Sequence, residues 1–156
     1  GTGDAMIAWR RGLAGPNGPV AVQAYVSLPV GKAAVGAGDW GAGVLLPVAF
    51  NLPAGFQGAL TPEADAAVNA SGAGRHLAFG SAFGLSHPLG KSLTATFEAN
   101  LMRDQDPAGH ETRSQLAASL AWQVSANFQL DVEADSRIAG GVPDRSLMFG
   151  FARRIR

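Results

Sequence analysis

The residues with the clearest chemical potential form a row of carboxylates near the carboxyl end of the chain. Asp131, Glu133 and Asp135 are spaced two residues apart. In an extended strand, side chains at this spacing project from one face and lie roughly 7 Å apart. Such a row could bind a cation or face guanidinium groups on a neighbouring strand. Four arginines are candidates for that second arrangement: Arg103, Arg113, Arg137 and Arg145.

The three histidines, His76, His87 and His110, offer less chemistry. None is three or four residues from another and the chain has no cysteine, so metal-ligand spacing is absent. His110 with Ser114 or Ser119 resembles a histidine-activated serine, which makes a barrel esterase or phospholipase one hypothesis. No oxyanion hole or orienting acid is identifiable beside that pair. We therefore predict no catalytic residues, no metal and no cofactor, and expect a protein that is not an enzyme.

The elements that position these residues are indicated by strict alternation of polar and apolar side chains. Leu130, Val132 and Ala134 alternate with the carboxylate row, which is the pattern of a strand with one apolar face. Similar segments recur between turn-forming residues. They cover residues 4–11, 20–28, 39–52, 56–68, 75–86, 93–102, 112–124, 129–137 and 146–155. The pattern predicts an all-β, antiparallel up-and-down meander of about nine strands, forming a single domain over residues 1–156.

The composition favours a membrane barrel over a soluble sheet. Charged residues make up 15% of the chain, whereas roughly 25% is usual for soluble domains. The longest apolar run, residues 42–50, contains Pro47 and is far shorter than the ~20 residues of a spanning helix, while barrel strands need only about 9–11. A net charge of zero gives no general attraction to nucleic acid. The alternative is a soluble β-sandwich or a lipocalin-like binding module.

In the barrel interpretation, the polar side of each strand lines a water-filled lumen and the apolar side faces lipid. Leu116, Leu120, Trp122, Leu147 and Phe149 are then expected to point outward. The candidate lumen-lining residues are Gln23, Tyr25, Glu98, Gln115, Gln123, Asp131, Glu133, Asp135 and Arg137.

The lengths of the connections support this orientation. Outer-membrane barrels have short periplasmic turns and longer outer loops. The short connections 53–55, 88–90 and 125–127 alternate with the longer ones 69–74, 103–111 and 139–144. Because bacterial barrels have even strand numbers, nine strands predict that this chain is the carboxy-terminal part of a larger barrel. Its first and last strands are then expected to pair imperfectly.

Three motifs carry a family resemblance. They are Gly1-Thr-Gly-Asp4 opening a strand, Ser27-Leu-Pro-Val-Gly31 ending one, and the run from Leu130-Asp131 through Pro143-Asp144 to Gly150-Phe-Ala-Arg-Arg-Ile155. In order and spacing they resemble the outer-membrane transporters assigned to the meta-pathway of phenol degradation. The resemblance covers nearly the whole chain and the carboxy-terminal part of a full-length member. It implies a β-barrel of about a dozen strands that takes up hydrophobic or aromatic compounds.

The sequence thus predicts a passive channel or transporter-like protein of the bacterial outer membrane. Selectivity would come from lumen polarity and from the loops. The expected partners are the lipid bilayer, small hydrophobic or aromatic solutes and the outer-membrane assembly machinery.

Overall fold

Alternating side chains produce extended strands along nearly all of the chain. The computed structural model describes residues 2–15, 18–32, 35–141 and 144–155. A single 3₁₀ turn, Pro53–Gly55, interrupts the strands. The strands are β1 (Ala5–Gly12), β2 (Ala21–Leu28), β3 (Gly41–Leu45), β4 (Val48–Asn51), β5 (Gln57–Val68), β6 (Arg75–Pro88), β7 (Leu93–Asp106), β8 (Gly109–Ser125), β9 (Phe128–Ala139) and β10 (Arg145–Arg153).

The strands form one antiparallel sheet, and sequence neighbours are sheet neighbours. The order is β1-β2-β3-β5-β6-β7-β8-β9-β10, with β4 pairing with β5 beside this path. The predicted all-β meander is therefore confirmed. β1 and β10 are the two ends of the order, so the sheet is open over the described ranges. A strand upstream of β1 stays a prediction.

The predicted third strand, residues 39–52, is divided in two at Pro47, which gives ten strands instead of nine. Proline has no N–H group and cannot donate to the ladder. Its carbonyl oxygen still accepts from the N–H of Ala21 at 3.0 Å, and the N–H of Leu46 donates to Pro62 at 2.9 Å. The break therefore removes one ladder bond but leaves the segment attached on both sides.

The predicted long polar loop over residues 103–111 is wrong. β7 continues to Asp106 and β8 begins at Gly109, so only Pro107 and Ala108 lie between them. The carboxylate of Asp106 accepts the N–H of Ala108 at 2.7 Å, and Arg103 donates to Thr112 at 2.8 Å across the hairpin. A side chain that caps its own turn makes a tight connection out of residues that are polar enough to indicate a loop.

Close contacts divide the chain into two compact units. The first unit comprises Gly1–Val48, Thr61–Ser81 and Met102–Thr112. The second unit comprises Ala49–Leu60, Ala82–Leu101 and Arg113–Arg156. Each is described separately below.

In both units the register separates apolar from polar residues. Residues directly opposed in an antiparallel ladder share a face. The second unit has the apolar rows Ala118–Ala134–Leu147, Leu120–Val132–Phe149 and Trp122–Leu130–Phe151. The first unit has the apolar rows Ile7–Val26–Ala42–Ala66 and Trp9–Ala24–Val44–Ala64.

Burial is the reverse of what a soluble sandwich shows. Within the described residues the only buried hydrophobic side chains are Ala21 and Ala78, whereas Asp65, Asp104 and Asp106 are buried. Phe149 and Phe151 are 78% and 75% exposed. The accessible surface is 10350 Å², while a soluble monomer of this size exposes about 7,400 Å². The described residues therefore form no enclosed apolar core of the kind that the soluble alternative requires.

Candidate functional site

The predicted carboxylate row lies on the polar side of the second unit. Four rows cross β8, β9 and β10 on this side, and they place Asp131, Glu133, Asp135 and Gln123 on the face opposite the apolar rows. The rows are Ala117–Asp135–Ser146, Ser119–Glu133–Met148, Ala121–Asp131–Gly150 and Gln123–Gln129–Ala152. Gln115 and Arg137 are opposed on the same side, next to a register shift at Ser114 and Gln115. These six candidate positions therefore form one continuous polar surface.

Asp135 is held by neutral donors. Gln115 Nε2 donates to Oδ1 of Asp135 at 2.8 Å, and the hydroxyl of Ser146 donates to Oδ2. Of the arginines considered as partners for this row, Arg145 is opposed to Ser136 and so lies on the other side of the sheet. Arg103 bonds to Thr112 instead. The carboxylate of Asp135 is thus positioned by one amide donor and one hydroxyl donor from the two neighbouring strands.

Three of the predicted residues meet in a small cavity of the second unit. Glu98, Gln115 and Glu133 come from three different strands and line a space of about 220 Å³, here called the polar cavity. The other lining residues are Ala82, Ala99, Asn100 and Ala117. Three of these four neighbours are alanines, so Glu98 and Glu133 border a space that is large enough for ordered water.

The first unit carries the remaining predicted residues, Gln23 and Tyr25. The row Ala8–Tyr25–Gly43–Asp65 crosses four strands, and the next row is Arg10–Gln23–Leu45–Glu63. These two rows define the polar face of the first unit. Tyr25 donates its hydroxyl hydrogen to Oδ1 of Asp65 at 2.8 Å.

Gly43 makes the Tyr25–Asp65 bond possible. It lies between the two residues in the same row. A Cβ atom at position 43 would collide with both the tyrosine ring and the carboxylate. The two side chains therefore meet across β3 because glycine leaves the space above that strand empty.

Sequence reasoning missed Asp65 as a site residue. The alternation within β5 predicts its face, but no pattern in one strand identifies its partner on β2. The one available signal was the pair Gly41 and Gly43, which both lie on the polar side of β3. Such glycines mark places where neighbouring side chains approach the backbone closely.

A second missed cluster surrounds His76 in the first unit. Its Nε2 lies 2.7 Å from Oδ1 of Asp104, and its Nδ1 lies 3.0 Å from Oδ1 of Asn69 and 3.5 Å from Oδ2 of Asp106. Oδ2 of Asp106 also accepts the N–H of Ala70 at 2.6 Å. The cluster therefore ties the connection 69–74 to the end of β7. Across the described ranges, no group of three or more His, Cys, Asp or Glu side chains is arranged to hold a metal ion.

The histidine–serine pairing considered from the sequence is not formed. His110, Ser114 and Ser119 all lie in β8. At about 3.3 Å per residue, a strand places His110 about 13 Å from Ser114 and about 30 Å from Ser119. Neither distance allows proton transfer, so these residues are not a catalytic pair.

Asp39, in the connection before β3, joins two loops of the first unit. Its carboxylate accepts the N–H of Trp40 at 2.8 Å and that of Gly74 at 3.1 Å, and it pairs with Arg75 at 3.1 Å. The guanidinium of Arg75 stacks 3.8 Å from the centroid of a Trp40 ring. The two backbone N–H groups, followed by Arg75, hold the pKa of Asp39 below its ordinary value.

The apolar side of the second unit contains a groove of about 580 Å³. Phe56 and His87 stack in it with ring centroids 4.3 Å apart. The other lining residues are Leu85, Leu89, Ala95, Thr96, Phe97, Ala118, Ser119, Leu120, Val132, Ala134 and Leu147. This apolar groove is open to the surroundings.

Comparison with known proteins identifies the family. The sequence profile described as "Putative MetA-pathway of phenol degradation" matches residues 3–155. The chain belongs to this family. The predicted resemblance is therefore confirmed. No curated protein is similar enough to match the chain.

The fold is similar to that of a solved porin. The structure titled "NanC porin structure in rhombohedral crystal form" superposes with a TM-score of 0.50 at 10% sequence identity. The similarity covers 97% of this chain and 99% of that chain. At this identity the likeness shows the fold alone, which is a porin-like β-barrel fold. In the part of the chain that is described, no helix has the length and apolar character needed to cross a membrane.

Proposed function

We propose that this protein is a channel of the bacterial outer membrane that passes small hydrophobic or aromatic solutes by diffusion. The observation that carries the proposal is the reversed distribution of side chains: large hydrophobic residues are exposed on one side of the sheet, and carboxylates lie on the other or are buried. The family and the porin-like fold support the same function.

The apolar side is suited to lipid. Exposed apolar patches larger than a few hundred Å² are rare on soluble monomers because water contact is unfavourable. Here Leu120, Phe149, Trp122 and Phe151 lie in two adjacent rows, and all four are exposed. In a bilayer these side chains contact acyl chains and the unfavourable term disappears. The bilayer is accordingly a partner in this proposal, as is the machinery that inserts outer-membrane proteins.

The longer strands are sufficient to cross a membrane. A tilted spanning strand needs about 9–11 residues. β6 and β7 have 14 residues each, and β8 has 17. Their polar sides, with the polar cavity and the polar face of the first unit, would line the solute path. We include no enzymatic step, cofactor or nucleic acid in this proposal, since diffusion through a lined path needs none of them.

Reconstitution tests the proposal directly. The purified chain should insert into planar lipid bilayers and conduct ions in discrete steps. Folded barrels resist detergent without heating, so the unheated protein should also migrate differently from boiled protein in a detergent gel. Protein that stays soluble and monomeric without detergent, and leaves bilayers non-conducting, would falsify the proposed function.

A further inference from the structure

Tyr25 stands apart from every other aromatic residue of the chain. The sequence has eight phenylalanines, three tryptophans and one tyrosine, and all of them lie within the described ranges. Trp9 and Trp122 occupy apolar rows, and Trp40 lies in the connection before β3. Phe128, Phe149 and Phe151 are on the apolar side by register, and Phe56 and Phe97 line the apolar groove. Phe79 and Phe83 alternate in step with Leu85, which lines the same groove, and the ring of Phe50 lies over Gly58, which alternates in step with Ala64 and Ala66. Tyr25 is therefore the one aromatic side chain that the described register places on a polar face.

The ring of Tyr25 is fixed in position. Its hydroxyl is bonded to Asp65 at 2.8 Å, and the ring lies over Gly43, where any side chain would collide with it. A half-buried aromatic ring that is held at both its Cβ and its hydroxyl loses little further entropy when a second molecule packs against it.

The part of Tyr25 that remains available to recognise a solute is the face of its aromatic ring. The hydroxyl hydrogen is already donated to Asp65. The adjacent row carries both Arg10 and Glu63, so the neighbouring charges have both signs. Contacts from Gln23, Arg10 or Glu63 would act equally on planar and saturated solutes that carry the same polar groups, so these residues do not distinguish the two kinds of solute. An aromatic pair in an offset or edge-to-face arrangement, however, is favourable beyond the area it buries.

We propose that Tyr25 is a specificity-determining residue, and that its ring gives planar aromatic solutes an advantage over saturated solutes of the same size. This inference rests on the proposed function, because it places the polar face of the first unit along the solute path.

The experiment compares two neutral, water-soluble glycosides as blockers of the ion current in planar bilayers. Phenyl β-glucoside and cyclohexyl β-glucoside have similar size and differ in the planarity of the ring. In the unmodified protein, the phenyl compound should reach half-block at a concentration roughly two- to tenfold lower than the cyclohexyl compound. In Tyr25→Leu this difference should disappear when the block by each compound is expressed relative to the variant's own unblocked current.

Two controls separate the aromatic surface from other effects of substitution. Tyr25→Phe retains the ring and removes the bond to Asp65, so the preference should stay within about twofold of the original. Phe79→Leu removes an exposed aromatic ring from the apolar side of the same unit, and it should leave the preference unchanged. A loss of preference in Tyr25→Phe would overturn the inference, because it would assign the effect to the hydroxyl.

The outcomes for the two proposals are distinguishable. Absence of conductance in the unmodified protein removes the proposed function and this inference together. Conductance with equal block by both glycosides, or an unchanged preference in Tyr25→Leu, overturns only the role of Tyr25. If Tyr25→Leu does not fold by the gel-mobility criterion, Gly43→Ala replaces it, since the added methyl group displaces the ring. The inference then fails if Gly43→Ala keeps the full preference.

Discussion

The two units use glycine in the same way but with different results. In the first unit, Tyr25 and Asp65 approach from opposite sides and meet above Gly43. In the second unit, the carboxylate of Asp131 leans over Gly150. β3 has neighbours on both sides in the sheet, whereas β10 has only β9 in the described order. A glycine in an inner strand can therefore support a bond that spans three strands, while a glycine in an end strand only provides room for one side chain.

The largest effects are expected on the apolar side, where the two units should behave alike. An arginine on the lipid face near the bilayer midplane costs roughly 2–4 kcal/mol. Val44→Arg in the first unit and Leu120→Arg in the second should each lower the free energy of unfolding by about this amount. Urea titration of the protein in lipid vesicles, followed by tryptophan fluorescence, measures this. Ala121→Arg, one residue away on the polar side, is the matched control and should cost less. A greater loss in Ala121→Arg than in Leu120→Arg would reverse the assignment of the two sides.

The glycine comparison itself is tested by adding one methyl group to each unit. Gly43→Ala should lower the free energy of unfolding by about 1–3 kcal/mol, because the ring and the carboxylate above it are tied to each other. Gly150→Ala should cost less, since the end of the Asp131 side chain can rotate away. The same urea titration gives both values. Equal costs would show that the difference between the inner and the end strand has no energetic consequence.

A smaller effect should distinguish the hydrogen bonds of the two units. Tyr25→Phe leaves an oxygen of the buried Asp65 without its donor and should cost about 1–2 kcal/mol. Gln115→Ala removes the donor to Asp135 at an exposed position and should cost about 0.5 kcal/mol. Pairing Tyr25→Phe with Asp65→Ala in a double-mutant cycle isolates the interaction energy, because alanine keeps no acceptor for the tyrosine hydroxyl. A coupling energy near zero would mean that the Tyr25–Asp65 bond contributes nothing to stability.

The smallest effect concerns the loops of the first unit and acid. Because the pKa of Asp39 lies below its ordinary value of 3.8 in the folded chain, its contribution to stability is complete above that value. It is lost as the pH falls through the lowered pKa. Hydrogen exchange at the amides of Trp40 and Gly74, corrected for the intrinsic rates, should therefore lose protection only in strong acid. Asp39→Asn should show weaker protection that does not change with pH, and identical profiles for both proteins would refute the assignment.

The sequence was sufficient for the strands and their faces because period-two alternation depends only on local residues. Leu120 and Trp122 lie on the side opposite Ser119 and Gln123, as their positions predicted. The sequence was insufficient for contacts between side chains of different strands. The bond between Tyr25 and Asp65 depends on register, which a single strand does not encode.

Connections were misjudged for a related reason. Polar composition predicted a loop over residues 103–111, but the side chain of Asp106 caps a two-residue turn. Pro47 was visible, yet whether it ends a strand depends on the partners available to Leu46 and Ala21. The polar candidates of the second unit were predictable because they all repeat along strands, whereas the His76 cluster combines a loop with a strand end.

The two-residue turn between β7 and β8 also affects how the chain can reach its final state. It joins strands of 14 and 17 residues, the longest consecutive pair in the sheet. Closing so short a loop costs little entropy, and isolated hairpins form in roughly 1–10 μs. This hairpin can therefore pair its backbone before more distant strands meet. Each unpaired N–H or C=O group costs several kcal/mol of free energy in a hydrocarbon layer. A segment whose backbone groups are already hydrogen-bonded enters that layer without this cost. Under the proposed function, the hairpin β7–β8 is the expected nucleus for insertion into a membrane, and the remaining strands would add to its two edges in sequence.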